Sequence, residues 1–175
     1  KAGDRVAPIF VQRWIGGDLQ LEYMPSALGG PDQGVLSEYI VSSEEGLVRI
    51  PQHLSFEEAA SLPCAAVTAW NAAMVRGRLR AGDTLVTLGS GGVSLFAAQF
   101  GLLAGARVIA TTGSSAKAER LRALGVAEVI NYKTTPDWDA RVRELTHGRG
   151  ADLVVDVGGP GTLAKSIAAI RYCGH

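Results

Sequence analysis

The sequence predicts an α/β fold, with a doubly wound parallel sheet over its second half and a mostly β segment before it. Short apolar and β-branched runs alternate with helical segments from residue 84 onward, which is typical of strand–helix–strand units. These runs are apolar throughout, as strands are when helices cover both faces of a parallel sheet. The chain has 175 residues, 47% of them hydrophobic, which is enough for one domain and part of another.

The elements of the second half follow one another at regular spacing. We predict a strand from Thr84, a helix over 92–104, a strand over 107–111, a helix over 115–124, a strand over 128–131, a helix over 137–147 and a strand over 151–157. Connections of this length between parallel strands form right-handed crossovers. A further strand is predicted to start at residues 174–175, so we expect an incomplete sheet and a fragment of a longer chain.

The first half lacks the regular alternation of strands and helices. The runs "DRVAPIF" and "GVLSEYIV" are predicted as strands, and the loop between them is rich in Gly and Pro. Ser55 and Glu58 have capping-box spacing, which predicts a helix that Pro63 interrupts and that resumes over 64–75 until Gly77 stops it. We place the domain boundary near this helix.

A glycine motif lies between the strand at Thr84 and the helix that follows it. Residues 89–94 read GSGGVS, a GxGxxG pattern with Ser94 in the third place. Gly89 would make the tight turn, and Gly91 would let backbone N–H groups approach a pyrophosphate at the helix N-terminus. The alternative is an ordinary strand-to-helix turn. The strand and helix context favours a dinucleotide site.

Charge and composition exclude several other classes of function. Residues 1–83 carry 7 basic and 10 acidic side chains and residues 84–175 carry 10 and 7, an imbalance too small to indicate nucleic acid or a membrane surface. The sequence contains no apolar run of membrane-spanning length and no signal-peptide pattern, so we expect a cytoplasmic protein. Its two cysteines are expected to be reduced thiols. Walker A, HExxH, GxSxG and YxxxK patterns are absent.

The ordered motifs resemble those of medium-chain dehydrogenase/reductases. They are "GDRV", "LSFEEAASLPCAAVTAWNA", "GDTLVTLGSGGVSLFAAQ", "VIATTGSSAK", "VINY" and "ADLVVDVGG", and the similarity is strongest to the zinc-type alcohol dehydrogenase-like or quinone oxidoreductase-like branch. The resemblance implies that residues 1–55 are the C-terminal part of a GroES-like catalytic domain and that 56–77 form connecting helices. Residues 78–175 would then be a truncated Rossmann nucleotide-binding domain.

The end of the second strand bears on the choice of cofactor. NAD-specific enzymes place an acid there to bind the ribose 2′-hydroxyl, whereas this chain has Thr112 and Ser114 and no carboxylate before Glu119. The family resemblance implies that Lys117 and Tyr132 contact a 2′-phosphate, so we predict NADPH, with NAD less favoured. The alternative is that Lys117 is merely solvated and that the Tyr132 ring packs on the sheet.

The resemblance also implies how the nicotinamide would be held. Thr68 and Val93 would flank the ring, although Val93 is equally explained as a core residue. Gly158 would let the loop after the last strand approach the cofactor. No general acid is identified, and Asp156 is expected to cap or bond the loop that follows it.

Many relatives in this family carry a structural zinc, a catalytic zinc or both. Residues 7–34 contain no cysteine, which excludes a four-cysteine structural zinc in that loop. Cys64 lies four residues before Thr68, the spacing of a catalytic zinc ligand in zinc-dependent relatives. A small buried thiol is the favoured alternative, so we predict no metal.

We therefore predict an NADP(H)-dependent oxidoreductase. It would transfer hydride between the nicotinamide and a small-molecule substrate, either a carbonyl, enone or quinone compound or an alcohol. The alternatives are a zinc-dependent alcohol dehydrogenase, an enoyl reductase domain of a larger synthase and a non-catalytic NADPH-binding module. Because family members commonly dimerise, we expect the parent protein to be a homodimer.

Overall fold

The computed structural model describes residues 1–175 and separates them into two compact units. The first unit is Lys1–Cys64 and the second is Ala65–His175. The division at residues 55 and 77 stays a prediction. No helix has the length and hydrophobicity needed to cross a membrane.

The first unit contains one pair of short strands. Strand β1, Val6–Pro8, pairs antiparallel with β2, Leu47–Arg49, and short 3₁₀ helices lie at Leu21–Ser26 and Glu44–Gly46. The strand predicted in "DRVAPIF" is confirmed. The strand predicted in "GVLSEYIV" is wrong, because residues 34–41 have no strand and β1 pairs with residues 47–49 instead. Leu36 and Val41 are fully exposed there, and strand propensity without a pairing neighbour does not make a strand.

The helical segment that follows β2, residues 56–76, changes its helix type along its length. Helix α1, Phe56–Ala60, begins with the predicted capping box, in which the Ser55 hydroxyl accepts from the Glu58 amide at 3.1 Å and the Glu58 carboxylate accepts from the Ser55 amide at 2.8 Å. A π-helical turn at Leu62–Ala66, helix α2 at Val67–Trp70 and a second π-helical turn at Asn71–Arg76 follow. The predicted interruption at Pro63 is a change of helix type, since proline donates no backbone hydrogen bond.

The second unit is built on a four-stranded parallel sheet. Its strands are β3 (Thr84–Thr87), β4 (Arg107–Thr112), β5 (Glu128–Asn131) and β6 (Leu153–Val155), in the spatial order β5-β4-β3-β6. The helices are α3 (Gly92–Leu103), α4 (Ser115–Ala123), α5 (Trp138–Leu145) and α6 (Pro160–Ala169). The doubly wound sheet predicted from the sequence is confirmed, and α6 is an addition to the predicted elements.

Each face of the sheet carries its own hydrophobic core. Leu85 and Val108 pack with residues of α3 and α4 on one face, whereas Val86 and Ile109 pack with residues of α5 and α6 on the other. All four side chains are fully buried. Alternate residues of a strand point to opposite faces, and consecutive apolar residues of β3 and β4 therefore serve both cores.

Thr87 interrupts this apolar pattern at the end of β3. Its side chain is fully buried, and its hydroxyl has no hydrogen-bond partner. Because a buried unpaired hydroxyl destabilises a fold, we expect Thr87→Val to raise the free energy of unfolding by about 1 kcal/mol. Urea unfolding of the full-length protein measures this change.

Thr146 provides the matched control. Its buried hydroxyl donates to the Val142 carbonyl at 2.8 Å and accepts from the Gly150 amide at 2.9 Å. Thr146→Val should therefore lower the unfolding free energy by about 1–2 kcal/mol. If both variants were destabilised to the same extent, the Thr87 hydroxyl would not be the unfavourable group that its burial indicates.

Candidate functional site

The carboxyl ends of β3, β4 and β6 meet at one edge of the sheet. The chain runs from β3 to β4 to β5 on one side and then returns to place β6 on the other side of β3. In open α/β sheets, ligands bind outside the carboxyl ends of the strands at the point where the winding reverses. That point lies between β3 and β6, and the glycine turn after β3 lies beside it.

The glycine turn has the geometry of an anion-binding helix start. Gly89 has a φ of +79°, which L side chains rarely adopt, and its amide donates to the Thr111 hydroxyl at 3.1 Å. Gly91 is the N-cap of α3 and makes no side-chain capping bond. A Cβ atom at Gly89 or Gly91 would meet nothing within 4 Å. Space is therefore open over the turn, where a phosphate would approach the first amides of α3.

Hydrogen bonds of Leu88 and close packing at Gly92 also hold the glycine turn. The Ser94 hydroxyl, 1% exposed, donates to the Leu88 carbonyl at 2.6 Å, and the Leu88 amide donates to the Val155 carbonyl at 3.3 Å. A Cβ atom at Gly92 would lie 3.1 Å from the Ala65 methyl group. Gly92 therefore permits close packing of α3 against the preceding helical turn.

A second loop follows β4 and contains most of the residues predicted to select the cofactor. The Thr112 hydroxyl accepts from the Ser114 amide at 3.3 Å, and the Ser114 hydroxyl caps α4 by accepting from the Lys117 amide at 3.4 Å. The Tyr132 amide donates to the Thr112 carbonyl at 3.1 Å. A Cβ atom at Gly113 would lie 2.6 Å from the Tyr132 hydroxyl. The structure therefore brings Tyr132 against Gly113, in the loop that leads through the N-cap Ser114 to Lys117 in the first turn of α4.

The charge of this second loop, together with the first turn of α4, is positive. Lys117 is exposed and forms no ion pair. No carboxylate occurs between Thr112 and Glu119. The loop thus offers an ammonium group, hydroxyl groups and no negative side chain to a ligand at its surface.

A third loop follows β6. The Asp156 carboxylate accepts from the Gly158 amide at 2.7 Å, from the Thr162 hydroxyl at 2.7 Å and from the Ser166 hydroxyl at 2.6 Å. Partial burial alone would raise the pKa of Asp156, but these hydrogen bonds outweigh it and hold the pKa below its ordinary value. The loop-bonding role predicted for Asp156 is confirmed.

Thr68 and Val93 lie on two helices that pack together, α2 and α3. Thr68 is exposed, and Val93 is half-buried against the core of that face. The Ala65–Gly92 contact places the start of α3 beside the chain three residues before Thr68. Their roles at a nicotinamide ring stay predictions.

The chain does not contain a complete metal site. No group of three or more His, Cys, Asp or Glu side chains is arranged to hold a metal ion. Cys64 is an exposed free thiol, so the buried thiol favoured from the sequence is wrong. A zinc ion at Cys64 would need its other ligands from residues beyond these 175, so the residues present do not fit a zinc site.

The role of Thr111 in holding the glycine turn was not predicted from the sequence. Its side chain is 3% exposed, and its hydroxyl accepts from the first glycine of the turn. The available signal was a pair of polar residues, Thr111 and Thr112, at the end of an otherwise apolar strand. Such hydroxyls need partners when buried, and the neighbouring glycine turn supplies one.

The zinc-binding dehydrogenase family matches residues 92–175. A zinc-type alcohol dehydrogenase-like protein from Schizosaccharomyces pombe is 43% identical over 174 residues, which cover 98% of this chain and 50% of that protein. The chain therefore spans about half the length of this curated relative.

Solved structures are similar over most of the chain. A crystal structure described as an alcohol dehydrogenase from Sinorhizobium meliloti superposes with a TM-score of 0.90 at 42% identity, covering 98% of this chain and 51% of that one. A structure described as an NAD-dependent alcohol dehydrogenase gives a TM-score of 0.79 at 44% identity, covering 85% of this chain and 43% of that one.

Proposed function

This chain belongs to the medium-chain dehydrogenase/reductase superfamily, and we propose that it binds NADP(H) for hydride transfer. The substrate would be a small carbonyl, enone or quinone compound, or the corresponding alcohol. We further propose that residues 1–55 belong to the substrate-binding, GroES-like domain of the parent protein. The predicted homodimer belongs to the same proposal.

One observation supports this proposal most strongly. The glycine turn, the positive loop after β4 and the Asp156 loop lie along one edge of a parallel sheet, at its switch point. A dinucleotide needs such a row of sites: an anion site for the pyrophosphate, a site for the adenosine ribose on one side and space for the nicotinamide on the other.

Each loop has a distinct task in this proposal. The open amides at the start of α3 would bind the pyrophosphate, and the Gly89–Thr111 hydrogen bond holds the turn in shape. Ser114, Lys117 and Tyr132 would bind a 2′-phosphate through hydroxyl groups and one positive charge. When bound, the nicotinamide supplies or accepts a hydride, while a proton is gained or lost at the substrate oxygen, or gained at the α-carbon when an enone is reduced.

The remaining alternatives differ in what the parent protein adds. A zinc-dependent alcohol dehydrogenase would require ligands besides Cys64 from outside these residues. A non-catalytic module would bind the nucleotide and show no turnover. NAD stays the competing cofactor, because the second loop contains nothing that excludes an unphosphorylated ribose.

Lys117→Ala tests the choice of cofactor. We expect the full-length protein to bind NADPH more tightly than NADH and the substitution to weaken NADPH binding about tenfold, because one charge-assisted contact to the phosphate is lost. NADH affinity should hardly change. Titration followed by nicotinamide fluorescence measures both affinities.

Arg122→Ala is the matched control. Arg122 is an exposed cation in the last turn of α4, whereas Lys117 lies in its first turn. Its removal tests whether any lost charge on α4 lowers NADPH affinity. Equal affinities for NADPH and NADH, unaffected by Lys117→Ala, would contradict the NADP assignment.

A further inference from the structure

Asp156 connects the loop after β6 to the inner side of α6. Its two carboxylate oxygens lie 2.7 and 2.9 Å from the Thr162 hydroxyl oxygen, and one of them lies 2.6 Å from the Ser166 hydroxyl. Ser166 is 3% exposed. The carboxylate is therefore fixed from the helix side by side chains one turn apart.

The same group fixes the backbone of the loop. The Gly158 amide donates to Asp156 at 2.7 Å, and the Thr162 hydroxyl oxygen lies 3.0 Å from the Gly159 carbonyl oxygen. A Cβ atom at Gly158 would lie 2.6 Å from the Thr162 hydroxyl oxygen, and Gly159 has a φ of +79°. Asp156 and Thr162 therefore both hydrogen-bond to the backbone of this loop.

The position of this loop assigns it to one end of a bound dinucleotide. Lys117 and Tyr132 lie on the β4 and β5 side of the glycine turn, and Asp156 lies on the β6 side. The Leu88–Val155 hydrogen bond joins the ends of β3 and β6. If the proposed function is correct, a ligand with its adenosine at Lys117 extends its nicotinamide toward Gly158 and Gly159.

We propose that Asp156 is a positioning residue for the cofactor, acting through Thr162 to hold the Gly158–Gly159 backbone where the nicotinamide half of the dinucleotide binds. This inference rests on the proposed function. It assigns no contact between Asp156 and the reacting atoms. Its effect should be confined to ligands that carry a nicotinamide ribose.

The test uses Thr162 variants of the full-length protein and two ligands. Thr162→Val keeps the side-chain shape and removes the hydroxyl, whereas Thr162→Ser keeps the hydroxyl and serves as the conservative rescue. We expect Thr162→Val to weaken NADPH binding roughly tenfold and Thr162→Ser to restore it to within about twofold of the wild type. Binding of 2′,5′-ADP, which lacks the nicotinamide half, should stay unchanged in both variants.

Asp156→Asn is measured in parallel and should behave like Thr162→Val, because the amide nitrogen cannot accept hydrogen bonds. Unchanged NADPH affinity in Thr162→Val would overturn the inference, as would a parallel loss of 2′,5′-ADP binding, which would indicate a general structural defect. A wild-type protein that binds neither NADPH nor NADH would instead contradict the proposed function itself. Thermal unfolding of each variant identifies any that fail to fold.

Discussion

Replacing Gly150 with alanine is expected to lower the free energy of unfolding by about 4 kcal/mol. Gly150 is buried just before β6 and has a φ of +89°. An added Cβ atom would lie 2.7 Å from the Arg171 amide nitrogen and 2.9 Å from the Ala169 carbonyl oxygen. These are backbone atoms of the segment that bonds to Ala151, so the contact cannot be relieved by a side-chain rotation.

Gly148→Ala separates backbone strain from steric overlap. Gly148 has a similar φ of +83°, but a Cβ atom there would meet nothing within 4 Å. We expect this variant to lose only about 1–2 kcal/mol, the cost of the left-handed conformation alone. Chemical denaturation of the two variants measures the difference, and equal losses would show that the segment after α6 moves aside freely.

Asp152→Asn is expected to remove a pH-dependent contribution of about 2 kcal/mol to stability. The Asp152 side chain is 5% exposed and accepts two hydrogen bonds from Arg149, one from Arg171 and one from the Thr84 amide. Burial alone would raise the pKa of Asp152, but the hydrogen bonds from Arg149, Thr84 and Arg171 outweigh it and lower the pKa from 3.8 to about 2.

The lowered pKa of Asp152 determines how the stability of the fold changes with pH. A carboxylate whose pKa is lower in the folded protein stabilises the fold fully above its unfolded pKa of 3.8, and this stabilisation is lost as the pH falls toward about 2. The difference in unfolding free energy between wild type and Asp152→Asn should therefore shrink between pH 4 and pH 2. Urea unfolding across that range provides the measurement.

Asp18→Asn serves as the control, because Asp18 is exposed and forms no ion pair. An exposed charge without a partner contributes little to stability, so the difference in unfolding free energy between this variant and wild type should stay small. A constant difference for Asp152→Asn would mean that its arginine contacts do not favour the charged form.

The second unit followed from its sequence more closely than the first. A strand buried on both faces is largely apolar, so β3 and β4 were visible as short runs between helical segments. Helix α6 was not predicted because Gly158, Gly159 and Gly161 make its start resemble a loop. Pro160 in its first turn is the signal that was available.

The first unit depended on pairing that a sequence pattern does not contain. Residues 34–41 have the composition of a strand, yet β1 found its partner at Leu47–Arg49, a run of only three residues. Whether β1 pairs with residues 34–41 or with residues 47–49 depends on how the side chains pack across the two strands. Local propensity does not carry that information.

The candidate site was predictable where a motif determines the backbone. Gly89 is predictable because the turn needs a positive φ there, and Gly91 because a ligand needs open space above the turn. Hydrogen bonds that cross between strands, such as Gly89 to Thr111 over 22 positions, have no local pattern. The Asp156–Ser166 contact likewise required the unpredicted helix.

The glycine turn is held by hydrogen bonds within the protein itself. The Gly89 amide is bonded to Thr111, the Leu88 amide to Val155 and the Leu88 carbonyl to Ser94. An anion that binds here therefore orders little additional chain, and most of its interaction energy is retained as affinity. Association at this turn should accordingly proceed in one step at a diffusion-controlled pace, with no slower phase of loop rearrangement.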